Sequence, residues 1–113
     1  MNYDAAHALA KSMRESSEYK ALISAQQEVE GNEEALNMVK EFISLQMQYE
    51  YSKMAGKEDQ EVLNRLLELT NLVNANTAAR AFLQAYTIWS QTSQDIYRII
   101  SEPITEGMSV LEK

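Results

Sequence analysis

Glycine and proline interrupt helices more than any other residues, and this chain of 113 residues holds only three glycines and one proline. The rest of the sequence is rich in Ala, Leu, Glu, Gln, Met and Lys, which favour helices. Apolar side chains recur at spacings of three and four residues. We therefore predict an all-α fold: an antiparallel bundle of about four to five helices, of which two or three are long.

Polar capping residues place the first two helices. Asn2 is available to cap a short amphipathic helix over about 3–14. Ser16 or Ser17 can cap a second helix, which Gly31 ends. We expect Gly31 to take the left-handed conformation that is common just after a helix.

A third helix begins after Asn32. This residue is a favourable cap, and Glu33 and Glu34 in the first turn oppose the positive end of the helix dipole. We expect the helix to extend to about Ala55. After a polar turn, the apolar residues within 62–73 indicate a fourth helix that runs antiparallel to the third.

The last helix is predicted to be the longest. Asn74 or Asn76 caps its start, and large apolar residues at helical spacing follow. Pro103 has no N–H group and its ring restricts the preceding residue. We therefore expect this helix to end near Ser101.

The length of 113 residues is that of one domain, and no repeat, linker or low-complexity tract divides it. We predict a single helical domain over 1–113. The N-terminus carries Asp4, His7, Lys11 and Arg14 where a signal peptide would be apolar, and no segment reaches membrane-spanning length. Together with the absence of cysteine, this indicates a cytoplasmic protein that does not enter a membrane.

The net charge of −7 repels phosphate backbones and anionic lipids. The ten basic residues are scattered along the chain and form no basic cluster. We therefore expect no direct nucleic-acid ligand. A local basic stripe formed by folding or dimerisation is the alternative.

The sequence offers little catalytic chemistry. His7 is the only histidine, so a triad or a two-histidine metal site has few residues to draw on. Asp4 and His7 share a helical face, which is the basis of an alternative metal-binding role, but Asp4 also suits a helix N-terminus. The three glycines are isolated, which excludes a phosphate-binding loop. We predict no catalytic residues, no cofactor and no metal.

Large apolar residues at helical spacing usually fill the interior of a bundle. We predict that the core contains Leu66, Phe82, Trp89 and Ile96.

The third helix carries apolar residues around more than half of its circumference, which is more than a small bundle can cover. The remainder should be buried by another chain. We predict an inter-chain surface at Met47, Tyr49, Tyr51 and Met54, and a homodimer built on the third and last helices.

The order of caps, turns and aromatic residues resembles the YlbF/YmcA family of Firmicutes, and its length matches the short YheA-like branch. The likeness spans nearly the whole chain, through Ser17-Glu18-Tyr19, Glu33-Glu34-Ala35, Phe42, Tyr49, Gly56, Asn76, Ala81-Phe82-Leu83, Ile99 and Pro103.

This resemblance implies an all-helical, commonly dimeric protein with no known active site. It also implies a role beside relatives that act as accessory factors in competence, sporulation and biofilm development, through a complex linked to the messenger-decay nuclease RNase Y. Longer relatives carry a cysteine-bearing extension associated with iron–sulfur clusters, whereas this chain has no cysteine and ends at Lys113. Cluster binding is therefore not carried over, and the lack of cysteine also weakens the case for a place in the nuclease-linked complex.

These observations lead to one functional hypothesis: a non-enzymatic helical adaptor or regulatory protein that dimerises and binds an unidentified protein partner. The alternative is a helical bundle that binds a small ligand or a metal ion.

Overall fold

The computed structural model describes all 113 residues and contains no β-strand. A 3-10 helix, Ser109–Glu112, follows the last of five α-helices. The α-helices are α1 (Asp4–Glu15), α2 (Ser17–Glu30), α3 (Glu33–Met54), α4 (Gln60–Asn74) and α5 (Thr77–Gly107). The predicted all-α class is confirmed.

Side-chain caps fix the start of four helices. Ser16, Asn32, Asp59 and Asn76 each accept a hydrogen bond from the backbone N–H three residues later, at 3.0–3.2 Å. Each bond satisfies an N–H group that has no partner inside the helix. At α1, the Asn2 side chain accepts the Asp4 N–H at 2.8 Å. The helix starts are therefore set by local sequence.

Two local predictions are wrong. Gly31 has a φ of −82°, and the left-handed glycine is Gly56, with a φ of 80°. The reason is that the extended cap Asn32 already redirects the chain after α2, whereas the turn between α3 and α4 needs a left-handed residue. Helix α5 also continues past Pro103 to Gly107. The proline removes only one hydrogen bond, and the segment is exposed, so water can reach the freed carbonyl.

Two chain corners with the same pattern, Val-x-x-Asn-x-x-Ala, form the centre of the fold. The first, Val29–Ala35, joins α2 to α3, and the second, Val73–Ala79, joins α4 to α5. Both valines are buried, and Ala35 and Ala79 are each 0% exposed. With Val39 and Leu69 these residues make the hydrophobic core.

The two helix pairs interlock around these corners. Helix α2 packs along the N-terminal half of α5, and α4 packs along α3 in the equivalent arrangement. The Tyr19 and Trp89 rings meet across the first pair, with centroids 5.4 Å apart. Between α3 and α4, the Arg65 Nε–H donates to Glu41 at 2.7 Å. Two arms therefore extend from one small core, and the molecule measures 48 × 39 × 15 Å.

The predicted core is only partly correct. Leu66 is buried, as predicted, and Phe82 packs half-buried against the core. Trp89 and Ile96 are half-buried and lie outside the core cluster, because no helix covers that part of α5 fully.

Leu69 and Leu67 provide a matched test of this core. Leu69 is 1% exposed and Leu67, on the same helix, is 59% exposed. We expect Leu69→Ala to lower the free energy of unfolding by about 2–5 kcal/mol, and Leu67→Ala by about 0.5 kcal/mol or less. Urea unfolding of both variants at one protein concentration measures this. Equal losses would contradict the core assignment.

The ion pair between Glu41 and Arg65 gives a pH-dependent test. The hydrogen bond from Arg65 lowers the pKa of the Glu41 carboxyl below its ordinary value of 4.5. Because the pKa of Glu41 is lower in the folded state than in the unfolded state, the pair stabilises the fold fully at pH values above the unfolded-state pKa. This stabilisation is lost as the pH falls through the lowered, folded-state pKa.

We therefore expect Glu41→Gln to have a lower melting temperature than wild type at pH 7, by a small amount because both side chains are 42% exposed. The difference should shrink on acidification below 4.5. Glu50→Gln, on the same helix and outside any ion pair, is the control. A difference that is unchanged at low pH would rule the pair out as its cause.

Candidate protein-binding surfaces

This chain covers little of its own apolar surface. Only 8 of 113 residues are buried, and the solvent-accessible surface is 8583 Å². A folded monomer of this mass exposes roughly 6,300 Å². The radius of gyration of 18.1 Å also exceeds the value of about 13 Å for a compact chain of this length. The molecule therefore presents far more surface than a self-sufficient globule.

Helix α5 carries one continuous apolar face along its whole length. In its first half this face includes Phe82 and Trp89, which pack against the core and α2. In its second half the same face continues at helical spacing through Ile96, Ile100 and Ile104. Ile100 and Ile104 are exposed. Half of a core-forming face is thus left without a covering element.

A cleft of about 610 Å³ separates α1 from this second half of α5. We call it the α1–α5 cleft. Helix α1 has no buried residue at all. The cleft walls are apolar, and they are formed mainly by Ala6, Leu9 and Met13 of α1 and Ile96, Tyr97 and Ile100 of α5.

The chemistry of the α1–α5 cleft suits a chain rather than a small molecule. Its only polar side-chain groups are the hydroxyls of Ser93 and Tyr97, and it has no charged lining residue. Sites for small ligands use several converging polar groups to fix orientation. A groove with so few of them resembles the surfaces that bury the apolar face of a helix.

The second exposed apolar surface lies on α3. Met47, Tyr51 and Met54 follow one another at helical spacing and are 68%, 77% and 86% exposed. We call these three residues the α3 surface. It faces away from α4, because Phe42 and Leu45, which pack against the core, lie on the other side of the helix.

Tyr49, the fourth residue of the predicted inter-chain surface, has a different environment. It is half-buried, and its hydroxyl donates to Glu58 at 3.2 Å. Lys53 Nζ lies 5.5 Å from its ring centroid. Burial and the hydrogen bond to Glu58 raise the pKa of the Tyr49 hydroxyl. Tyr49 therefore ties the end of α3 to the turn before α4, and it is separate from the α3 surface.

The structure does not assemble a chemical site around the remaining candidates. Asp4 and His7 are exposed on the side of α1 that does not line the cleft. Nowhere do three or more His, Asp or Glu side chains lie close enough to hold a metal ion. No helix combines the length and the apolar character needed to span a membrane.

Sequence reasoning missed the α1–α5 cleft. The signal was present, because Ile96 and Ile100 of the cleft follow helical spacing within the predicted last helix. Helical spacing does not show which element lies opposite an apolar face, so Ile96 was predicted to be a core residue. Only the structure shows that α1 buries no residue and leaves a cleft between itself and α5.

Comparisons with known proteins place these features in a family context. Residues 2–105 match the family model described as "Control of competence regulator ComK, YlbF/YmcA". A UPF0342 protein of Symbiobacterium thermophilum is 33% identical over 103 residues, which cover 90% of this chain and 92% of the relative. UPF0342 proteins of Staphylococcus aureus strains JH9 and Newman are 33% identical over 105 residues, which cover 92% of each chain.

Proposed function

This chain belongs to the YlbF/YmcA family, and we propose from that premise that it is a non-enzymatic regulatory protein of the bacterial cytoplasm. It dimerises and presents a helical surface to a second protein. The family description, control of a competence regulator, supports a regulatory role. By resemblance, the process it serves is bacterial developmental or RNA-decay regulation.

The observation that carries this proposal is the excess of exposed apolar surface. A chain with eight buried residues and two separate apolar surfaces gains stability when other chains cover them. Two surfaces on different arms also allow two different contacts at once. One contact can be made to a second copy and the other to a different protein, which is what an adaptor requires.

The α3 surface suits the second protein. Exposed Tyr and Met side chains contribute much of the binding energy at many protein interfaces. The flexible Met47 and Met54 can adapt to a partner's shape, and Tyr51 provides a larger, stiffer anchor between them. The net charge of −7 favours a protein over a nucleic acid as this partner.

The alternative of a small-ligand site rests on one observation, the volume of the α1–α5 cleft. About 610 Å³ lies within the range of ligand pockets. Its walls offer only the hydroxyls of Ser93 and Tyr97 to orient a ligand, so protein binding has the stronger support.

The proposal is tested by affinity purification of the tagged protein from its own bacterium, with quantitative mass spectrometry. We expect a protein other than the tagged chain to be recovered, and Tyr51→Glu to reduce its recovery at least tenfold. Leu67→Glu, which places the same charge at an exposed apolar residue of α4, is the control.

Equal recovery with Tyr51→Glu and wild type would remove the α3 surface from the proposal. Recovery of the chain alone, without any second protein, would contradict the adaptor function.

A further inference from the structure

We propose that α1 and the C-terminal half of α5 form one half of an antiparallel four-helix bundle, which a second copy of this chain completes. The two-fold axis crosses α5 near Ile100. This inference rests on the proposed function, because it names the second copy as the occupant of the α1–α5 cleft. It places the dimer contact on α1 and the last helix, rather than on the third and last helices as predicted from the sequence, and so leaves the α3 surface free for a different protein.

The first argument is the length of the uncovered half of α5. From Ser93 to Gly107 the helix extends about 22 Å. Ile100 is the middle residue of that segment. If the α5 helix of a second copy lies antiparallel to this segment and crosses it at Ile100, the uncovered segments of the two helices lie against each other. Each segment then ends at the point where α2 begins to cover the α5 helix of the other copy. The two halves therefore match in length as well as in chemistry.

The second argument comes from α1. A helix of 12 residues is marginal in water without packing, and α1 buries none of its residues. Its apolar residues Ala6, Leu9 and Met13 all line the cleft, whereas Asp4 and His7 do not. Helices α1 and α5 therefore present apolar inner faces to the same space. Two such pairs related by a two-fold axis make a four-helix bundle.

The third argument is charge. Two copies that each carry −7 repel one another, and an interface without charged groups adds no local repulsion to this. The α1–α5 cleft has no charged lining residue. Helix macrodipoles also favour an antiparallel over a parallel α5 pair. The antiparallel arrangement further places the two acidic bodies at opposite ends of the bundle.

The fourth argument is area. The exposed surface exceeds that of a compact monomer by roughly 2,300 Å². Obligate homodimers bury about 2,000–5,000 Å² in total, counted over both chains. An interface of that size would cover a large part of the excess exposed surface of two copies. A two-fold interface uses the same patch on both copies, and the face of α5 around Ile100 supplies such a patch.

Antiparallel packing about Ile100 also fixes the neighbours. Ile96 of one copy lies opposite Ile104 of the other, so that two large side chains meet. Ser93 lies opposite Gly107, so that two small residues meet at each end of the contact. The large apolar side chains are therefore concentrated at the centre of the bundle.

Site-directed crosslinking tests the axis directly, since the chain contains no cysteine. A residue at a two-fold axis lies within disulfide distance of its own copy. We expect purified Ile100→Cys protein to form a dimer on oxidation, seen as twice 12.9 kDa without reductant. Met54→Cys, on the α3 surface, should stay mostly uncrosslinked at the same concentration. The reverse result would overturn the inference.

Orientation is tested by mixing two variants. We expect Ile96→Cys and Ile104→Cys to crosslink to each other when mixed, and each to crosslink poorly alone. Different tags on the two variants distinguish the mixed product by size. Efficient crosslinking of each variant alone, without mixed product, would indicate parallel helices and contradict the proposed bundle.

Mass in solution provides the independent readout. We expect light scattering to give twice 12.9 kDa for wild type at micromolar concentration. Ile100→Glu should raise the dissociation constant at least tenfold, while circular dichroism should still show most of the helical signal of the wild type. Leu67→Glu should leave the mass unchanged.

These outcomes separate the two proposals. A wild-type dimer that crosslinks through Met54→Cys would overturn the bundle and keep the dimer of the proposed function. A wild-type mass of one chain would overturn the bundle and the dimer together. Loss of the second protein with Tyr51→Glu, measured in cells, would still support binding to that protein.

Discussion

The contact between two Asn-capped corners holds this molecule together. At each corner a buried valine precedes the cap, and an alanine three residues after it has no exposed surface. Because alanine has no side chain beyond Cβ, the backbones of Val29–Ala35 and Val73–Ala79 can approach closely. The caps then fix the direction of the helices that leave the corners. All other packing follows from those directions.

The core is small because it contains only residues at and near the two corners. The α2–α5 pair and the α3–α4 pair meet each other only around the corners, so most of each helix lies outside the core and forms an arm with its own partner helix. The α2–α5 arm carries the α1–α5 cleft, and the α3–α4 arm carries the α3 surface. The same geometry that limits the core therefore provides two separate apolar surfaces. In this fold the surfaces available for binding are the apolar parts of the helices that the packing of the corners does not cover.

Local features were predictable from the sequence because local chemistry decides them. The caps Asn32 and Asn76 and the turn between α3 and α4 follow from side chains within a few residues. Burial is different, since it depends on which element lies opposite. Helical spacing could not show that Trp89 would pack against Tyr19 and still stay half-exposed. Nor could it tell that Tyr49 would be engaged by Glu58, away from the α3 surface.

The long helix α5 also acts as a lever. It begins at a corner and extends about 40 Å from Ala79 to its end. A change of about 5° in how the two corners cross would displace that end by about 3–4 Å, while the core contacts themselves would shift by only fractions of an ångström. Events at one arm can therefore be transmitted to the tip of the other as a magnified movement, without any rearrangement within the helices.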